Sequence, residues 1–506
     1  MGSLCCRVGS SYESIRLAGT PRLRPGKRRS FSLFSPAALS SKTQQHSNAL
    51  RATTTTIVRQ TTSITKEYDS ICELAASNLR FGPGSTAEVG HDLAHLGARR
   101  VLVAADPNVP ASLQVVLHSL KEQSIAPIIF QDIRVEPNDA SFQRAIEFFS
   151  RHEYDAVIAV GGGSTMDTAK AANLYATFPP SGDFYDYVNP PLGKGIPVPA
   201  TKPLPPLIAI PTTAGTGSET TGVAIFDDTT TKSKTGIANR RLKPTLGIID
   251  PNNTQTLPKS VAAYSGLDVL CHAMESYTAL PYTQRPKPAS SILRPAYQGS
   301  NPISDVWSLF ALETCVTYLR RAIYDEDEES RSQMLIASSA AGLGFGNAGV
   351  HLCHGMSYPV SSQVKSYTPD DGYINLDHAV VPHGLSVIVN APAVFRFTAV
   401  ANPERHSKCA KILEHSRTGG DSVHRDDSQL SNGEYVGEWL ADEIKHFCYE
   451  LEVVPMGLTS FGYTEEDIPF LVEGTLPQHR VTKLSPRPVG KAELEALFLE
   501  SLKDTY

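Results

Sequence analysis

The sequence predicts an α/β dinucleotide-binding domain followed by an all-α domain. Three observations carry that expectation. Between about residues 86 and 250, short continuous apolar runs alternate with helix-like stretches, as in a parallel sheet covered on both faces. One of these runs ends in three glycines that lead into a helix, an arrangement that offers free N–H groups to a phosphate. Beyond residue 256 the helix-like segments dominate. The expected divisions are a basic leader over 1–66, an α/β domain over 67–255 and an all-α domain over 256–506.

In chain order, 87–96 is helix-like, and Arg100 to Asp106 reads as a buried strand that ends in an acid. Residues 115–123 are helical, 127–130 a strand and 139–151 a helix. The run 154–160 is a strand feeding Gly161-Gly162-Gly163-Ser164-Thr165-Met166-Asp167. Glycines there let the backbone approach a ligand, and the helix that follows points its positive dipole end at it. This is not the Gly-x-Gly-x-x-Gly fingerprint, so the strand-turn-helix context carries the phosphate reading. Asp106 is placed to accept from a ribose hydroxyl, although a turn Asp ahead of Pro107 has the same look. The Pro-rich stretch after Tyr185 is a loop. It leads to the strand 207–210 and then to Pro211-Thr212-Thr213-Ala214-Gly215-Thr216-Gly217-Ser218-Glu219, whose hydroxyls suit a polar ligand. Residues 223–226 and 246–249 are further strands.

The second half reads as helices over 260–279, 304–323, 330–344, 384–399, 404–414, 433–450 and 491–503. A Pro-rich insertion occupies 281–301, an acidic connection 325–329 and a polar surface excursion 415–433. On the first of these helices Asp268 and His272 are four residues apart and share a face. Alone, such a pair is most simply a solvated surface contact. His354 in Cys353-His354-Gly355-Met356 and His383 in Pro382-His383-Gly384 could complete one Asp and three His for Fe(II) or Zn(II). Cys271 sits about 100° around the helix from His272, which sets it off that face.

Composition bounds the rest. The chain has 506 residues, 41% of them hydrophobic and 19% charged, and no apolar run long enough for a membrane span. Residues 1–66 hold 11 Lys/Arg and one acid, Glu13, together with many Ser and Thr, the composition of a mitochondrial transit peptide; a basic tail of no address shares it. The remainder carries a formal charge of −16, which argues against nucleic acid. The eight Cys form no Cys-x-x-Cys pair and read as reduced, buried residues of an intracellular protein.

Three motifs in order, Gly-Gly-Gly-Ser-x-x-Asp-x-Ala-Lys (161–170), Pro-Thr-Thr-Ala-Gly-Thr-Gly-Ser-Glu (211–219) and Gly-Leu-Asp-x-x-x-His-Ala-x-Glu (266–275), resemble the iron-containing (group III) alcohol dehydrogenases from about residue 70 to the C-terminus. The resemblance implies the dehydroquinate synthase-like fold and an oxidoreductase that binds Fe2+, with Zn2+ and Mn2+ as alternatives, and NAD. By position it implies Asp268, His272, His354 and His383 as metal ligands and catalytic residues. It implies Asp106, Asn138, Gly162, Gly163, Ser164, Asp167, Thr212, Thr213, Lys234 and Leu257 as NAD contacts, with Lys232 close to Lys234 in an indel-prone stretch. The segments 294–305, 344–359 and 474–484 are most similar to the family's transhydrogenase branch. That branch is mitochondrial and implies hydride transfer from 4-hydroxybutanoate to 2-oxoglutarate through bound NAD. Small hydroxyacid and oxoacid substrates are the implied partners, with a homo-oligomer left open. An ordinary NAD-dependent alcohol dehydrogenase shares the metal and dinucleotide motifs. A lyase of the same fold calls for a basic phosphate cluster that the sequence lacks. Where many relatives carry a second histidine, four residues beyond His354, this chain has Tyr358. His351 is a nearby substitute or a packed histidine. Arg285, Arg294, Arg480 and Lys483 are candidates for a substrate carboxylate.

Overall fold

The computed structural model describes residues 68–503, apart from 326, 370, 374, 375, 377, 420–424, 453 and 456. The leader predicted over 1–66 lies outside the described residues. Six strands form an all-parallel sheet in the order β1-β8-β5-β4-β2-β3, with β1 Asn78–Phe81, β2 Arg100–Ala105, β3 Ala126–Phe130, β4 Ala156–Gly161, β5 Leu207–Pro211 and β8 Leu246–Ile249. The remaining pair, β6 Val223–Asp228 and β7 Ser233–Ala238, makes an antiparallel hairpin. The central strands are apolar along their length because both faces are covered. Val101, Val103, Ile158, Val160, Ile208 and Ile210 fill one layer, and Leu102, Ala104, Val157, Ala159, Leu207 and Ala209 the other.

Four helices flank this sheet: α1 Val89–His95, α2 Pro110–Glu122, α3 Asp139–Ser150 and α4 Gly163–Thr177. The chain leaves β2 for β3 on one side and returns to β4 on the other. The loops after β2 and β4 therefore diverge and open a crevice at the carboxyl ends of the strands.

Beyond Pro258 the structure is helical, with α5 Lys259–Thr278, α6 Pro302–Tyr324, α7 Glu328–Ala348, α8 Leu352–Ser362, α9 His383–Ile388, α10 Ala391–Ala399, α11 Pro403–Thr418, α12 Gly433–Glu450, α13 Ile468–Thr475, α14 His479–Thr482 and α15 Lys491–Lys503. Helix α5 is buried on nearly every side from Ala263 to Ser276, with Leu267, Leu270, Cys271 and Met274 in the largest core cluster. No helix among the described residues is long and apolar enough to cross a membrane.

Several features depart from the sequence reading, which also does not include the short helices α13 and α14. Strand β1 is an exposed edge strand and β7 reads Ser-Lys-Thr-Gly-Ile-Ala, so neither carries an apolar run. Helix α8 contains Pro359, which hides it from a helix reading. The stretch predicted as one helix over 384–399 is two, broken at Val389–Asn390 ahead of Pro392. Helix α11 runs on to Thr418, four residues beyond the predicted end and into the stretch expected to be a surface excursion.

Candidate active site

Asp268 and His272 share one face of α5, both buried, as i,i+4 spacing requires. His354 enters from the first turn of α8 and His383 from the first residue of α9. The Oδ1 of Asp268 lies 3.6 Å from Nε2 of His272, 3.3 Å from Nε2 of His354 and 3.7 Å from Nε2 of His383. The His272 ring stacks between Phe345, at 3.9 Å, and His354, at 4.6 Å. His383 stands slightly apart: the donor atoms of Asp268, His272 and His354 all fall within 4.8 Å of one another, and that group does not include it.

Glycine fixes the approach of α9. A Cβ on Gly384 would sit 1.7 Å from the carbonyl oxygen of Tyr264 and 3.3 Å from the amide nitrogen of Asp268. The His-Gly pair is thus a packing requirement, since only Gly lets α9 press on the α5 backbone and hold His383 over Asp268. Gly384→Ala is expected to destabilise the fold by about 2 kcal/mol, in the range for overpacking, and to weaken metal binding, read by thermal unfolding and metal titration. An unchanged melt together with unchanged metal affinity would contradict this account of α9.

Sequence reasoning missed Glu275. Its Oε1 accepts from the backbone N–H groups of His351, Cys353 and His354 at 3.0, 2.8 and 3.3 Å, and its Oε2 pairs with Nδ1 of His354. The carboxylate thereby caps the start of α8, where a negative charge is favoured, and fixes the ring of His354. Burial pushes the Glu275 carboxyl up, but His354 and His351 override it and bring it down to about 2. Part of the signal was present: Glu275 lies one turn beyond His272 and beside the apolar residues Ala273 and Met274, where an acid needs a buried partner.

The donor set fits a divalent cation. Bonds of about 2.1 Å place tetrahedral donors roughly 3.4 Å apart, and the observed spacings from Asp268 are 3.3 to 3.7 Å. Oδ1 of Asp268 and Nε2 of His354 are buried and have no hydrogen-bond partner, as befits atoms reserved for an ion. Burial lowers His354, yet Glu275 and Asp268 outweigh it and carry its pKa up to about 10, while burial takes His272 down to about 3. The cluster favours positive charge at the point where Asp268 and His354 meet. Burial pushes the Cys271 and Cys353 thiols well above their usual range, and neither joins the cluster.

One cavity of about 820 Å³ runs from the crevice after β2 and β4 to this cluster. It is lined by all four residues of the Asp/His set and by Asp106, Asn138, Gly162, Gly163, Ser164, Asp167, Thr212, Thr213, Lys234 and Leu257. Gly162 and Gly163 open α4. A Cβ on Gly163 would meet Thr216 at 2.5 Å, so the turn after β4 is pressed against the loop after β5. Several of these side chains are already engaged. Asn138 caps α3 by accepting from Ser141 N–H at 2.8 Å. Asp167 accepts from Ser218 Oγ at 2.6 Å and from Ile225 N–H at 2.9 Å. Lys234 is buried between Glu136 and Asp227.

The carboxylate candidates separate sharply. Arg294 is 2.9 Å from Asp69, Arg285 donates to the Tyr297 carbonyl at 2.8 Å, and neither they nor Lys483 line the cavity. Arg480 does, and donates to the Tyr358 hydroxyl at 2.6 Å. His351 is fully buried against Thr278, 3.0 Å away, and lies outside the cavity lining, so it is a packed histidine.

Comparison with known proteins agrees with this geometry. Residues 76–251 match the family model for iron-containing alcohol dehydrogenase, and 296–502 the model for its C-terminal domain. The chain is 53% identical over 442 residues to the mouse protein named hydroxyacid-oxoacid transhydrogenase, mitochondrial, covering 87% of this chain and 91% of the relative. The human protein of that name is likewise 53% identical, with the same coverage. A 1,3-propanediol oxidoreductase of known structure superposes with a TM-score of 0.70 at 26% identity, over 85% of this chain and all of that one. An NADH-dependent butanol dehydrogenase from Thermotoga maritima, 21% identical, shares the fold with a TM-score of 0.66 over 87% of this chain and 100% of that one. With this fold, this cluster and these matches, the chain belongs to the iron-containing alcohol dehydrogenase family.

Proposed function

We propose that this protein is a mitochondrial, metal-dependent hydroxyacid-oxoacid transhydrogenase. It moves hydride from 4-hydroxybutanoate, or a similar hydroxyacid, to 2-oxoglutarate through bound NAD, giving succinate semialdehyde and (R)-2-hydroxyglutarate. The observation that carries this reading is the single cavity that joins the glycine turn of α4 to the Asp268 cluster. Its relatives' names support the acid substrates and the mitochondrial address, and the basic composition of 1–66 supports the address independently.

In this reading Asp268, His272, His354 and His383 hold the cation, for which Fe2+ is the first choice and Zn2+ or Mn2+ also suit the donors. Such a cation supplies Lewis acidity toward the substrate oxygen, and NAD supplies the hydride-accepting ring. Gly162, Gly163 and Ser164 receive the pyrophosphate at the N-terminus of α4. Asp106 takes the ribose hydroxyls and repels a 2′-phosphate, which selects NAD over NADP. Thr212, Thr213, Lys234 and Leu257 shape the remaining wall, with Asn138 and Asp167 holding their loops in place. The proposed domain division, 67–255 for NAD and 256–506 for the metal, puts the reaction between the two.

Purified protein supplied with 4-hydroxybutanoate and 2-oxoglutarate, and no added NAD, is expected to form (R)-2-hydroxyglutarate over many turnovers. Product that forms only when free NAD is supplied would make it an alcohol dehydrogenase with exchangeable coenzyme instead.

A further inference from the structure

A hydroxyacid and an oxoacid each bring a carboxylate into the cavity, and a carboxylate leaving water needs a cation with donors to spare. Among the described residues, four Arg or Lys side chains line the cavity: Arg134, Arg144, Lys234 and Arg480. Three are committed elsewhere. Arg134 donates to the carbonyls of Val135 and Glu136 in its own loop. Arg144 grips Asp132 with two donors, at 2.6 and 3.2 Å. Lys234 is enclosed by Glu136 and Asp227.

Arg480 differs from all three. Of the four it alone has a nitrogen, Nη1, that is shut off from solvent without a hydrogen-bond partner, and among the described residues no acid is paired with it. The guanidinium is held nonetheless: Nη2 donates to the Tyr358 hydroxyl, and the group lies 5.0 Å from the Tyr297 ring centroid. Tyr358 is four residues beyond His354 on α8, so the two share a face and both reach the cavity. A positioned Arg with a spare buried donor, held by a tyrosine one helical turn from His354 in the cavity that contains the cluster, is built for an anion.

We propose that Arg480, positioned by Tyr358, anchors the carboxylate that the donor and the acceptor have in common. The inference rests on the acid substrates proposed above. In 4-hydroxybutanoate two methylenes separate the reacting carbon from the carboxylate. In 2-oxoglutarate two methylenes separate the oxo carbon from the distal carboxylate. A single anchor at fixed distance from the cluster therefore serves both half-reactions, and it sets chain length: 3-hydroxypropanoate and 5-hydroxypentanoate fall short of or overrun it.

The test uses the full chain with its metal and coenzyme, as wild type, Arg480→Met, Arg480→Lys and Tyr358→Phe. Calorimetry reads the binding of butanoate, which keeps the carboxylate and has no reacting oxygen. Kinetics read kcat/KM for 4-hydroxybutanoate relative to 1-butanol. Losing a hydrogen bond to a charged group costs roughly ten- to a hundredfold, so Arg480→Met is expected to weaken butanoate at least about tenfold and to lower the acid-to-alcohol ratio as much. Lys keeps the charge but not the fork and is expected to recover part of both; Tyr358→Phe moves both the same way by a few-fold. If the Met variant does not fold, the Lys and Phe variants decide the matter by the same two readings. Butanoate binding unchanged within twofold, an equal loss for acid and alcohol, or a loss confined to NAD affinity would overturn the proposal. If wild type instead makes no product without added NAD, the transhydrogenase reading fails, and the butanoate titration still decides the role of Arg480.

Discussion

Asp268→Asn is expected to strip the metal from the protein and lower kcat/KM by about a thousandfold, the several kcal/mol a Lewis acid supplies. The substitution preserves shape and removes only charge. Asp268 is the hub of the cluster, since its Oδ1 is the atom against which His272, His354 and His383 all converge, at 3.6, 3.3 and 3.7 Å. It is also the sole carboxylate among the four proposed donors, so without it a divalent ion faces three neutral imidazoles. The His residues hold its own carboxyl far below the usual range against the opposing effect of burial, and a neutral amide there leaves His354 without one of its two counter-charges. Metal content by plasma mass spectrometry and kcat/KM on the same preparation read the outcome. Full metal occupancy with wild-type activity would remove Asp268 from the site.

The parts of this molecule that were legible in the sequence are those where one local property decides. Strands β4 and β5, and β2 beyond Arg100, are continuously apolar because both faces are covered, so Val101 to Ala105 and Val157 to Val160 read directly. Asp268 and His272 are paired by helical spacing alone. His354 and His383 lie in other helices; as residue types they could complete the set, and the family resemblance assigns them by position, but nothing local says that α8 and α9 converge on α5. For Glu275 the sequence signals a buried acid but not what it orients, because its partners, from His351 to His354, lie 76 to 79 residues away. The four cationic candidates were equivalent in sequence for the same reason. What disqualifies Arg294 is Asp69, 225 residues distant, and what singles out Arg480 is its place in the cavity lining with a buried donor to spare. Helix α8 was misread because Pro359 breaks the local rule, and tertiary packing outweighs it: Pro359 sits within a helix whose other residues are nearly all buried.

Glu275→Gln tests whether the proton on His354 is placed by design. Oε2 of Glu275 accepts only, so Nδ1 of His354 keeps its hydrogen in either charge state, and a cation bound beside Asp268 displaces the proton of Nε2 and takes its lone pair. Glutamine is nearly the same shape, and its carbonyl can still accept from the N–H groups at the start of α8. Its amide nitrogen then faces Nδ1 as a donor, which drives the proton to Nε2. That atom can no longer serve as a ligand, and an N–H points at the metal position. Metal affinity is therefore expected to fall by about a hundredfold, the upper end for residues that support a ligand. Stability is expected to fall by about 3 kcal/mol, because the substitution breaks a buried charged pair. A zinc or iron titration and a thermal melt read the two effects separately. Nitrogen-detected NMR of the His354 ring gives the sharper answer, since the mechanism requires the protonated nitrogen to switch from Nδ1 to Nε2. A variant that loses stability yet keeps the native tautomer and full metal affinity would show that Glu275 only caps α8 and does not set the chemistry of His354.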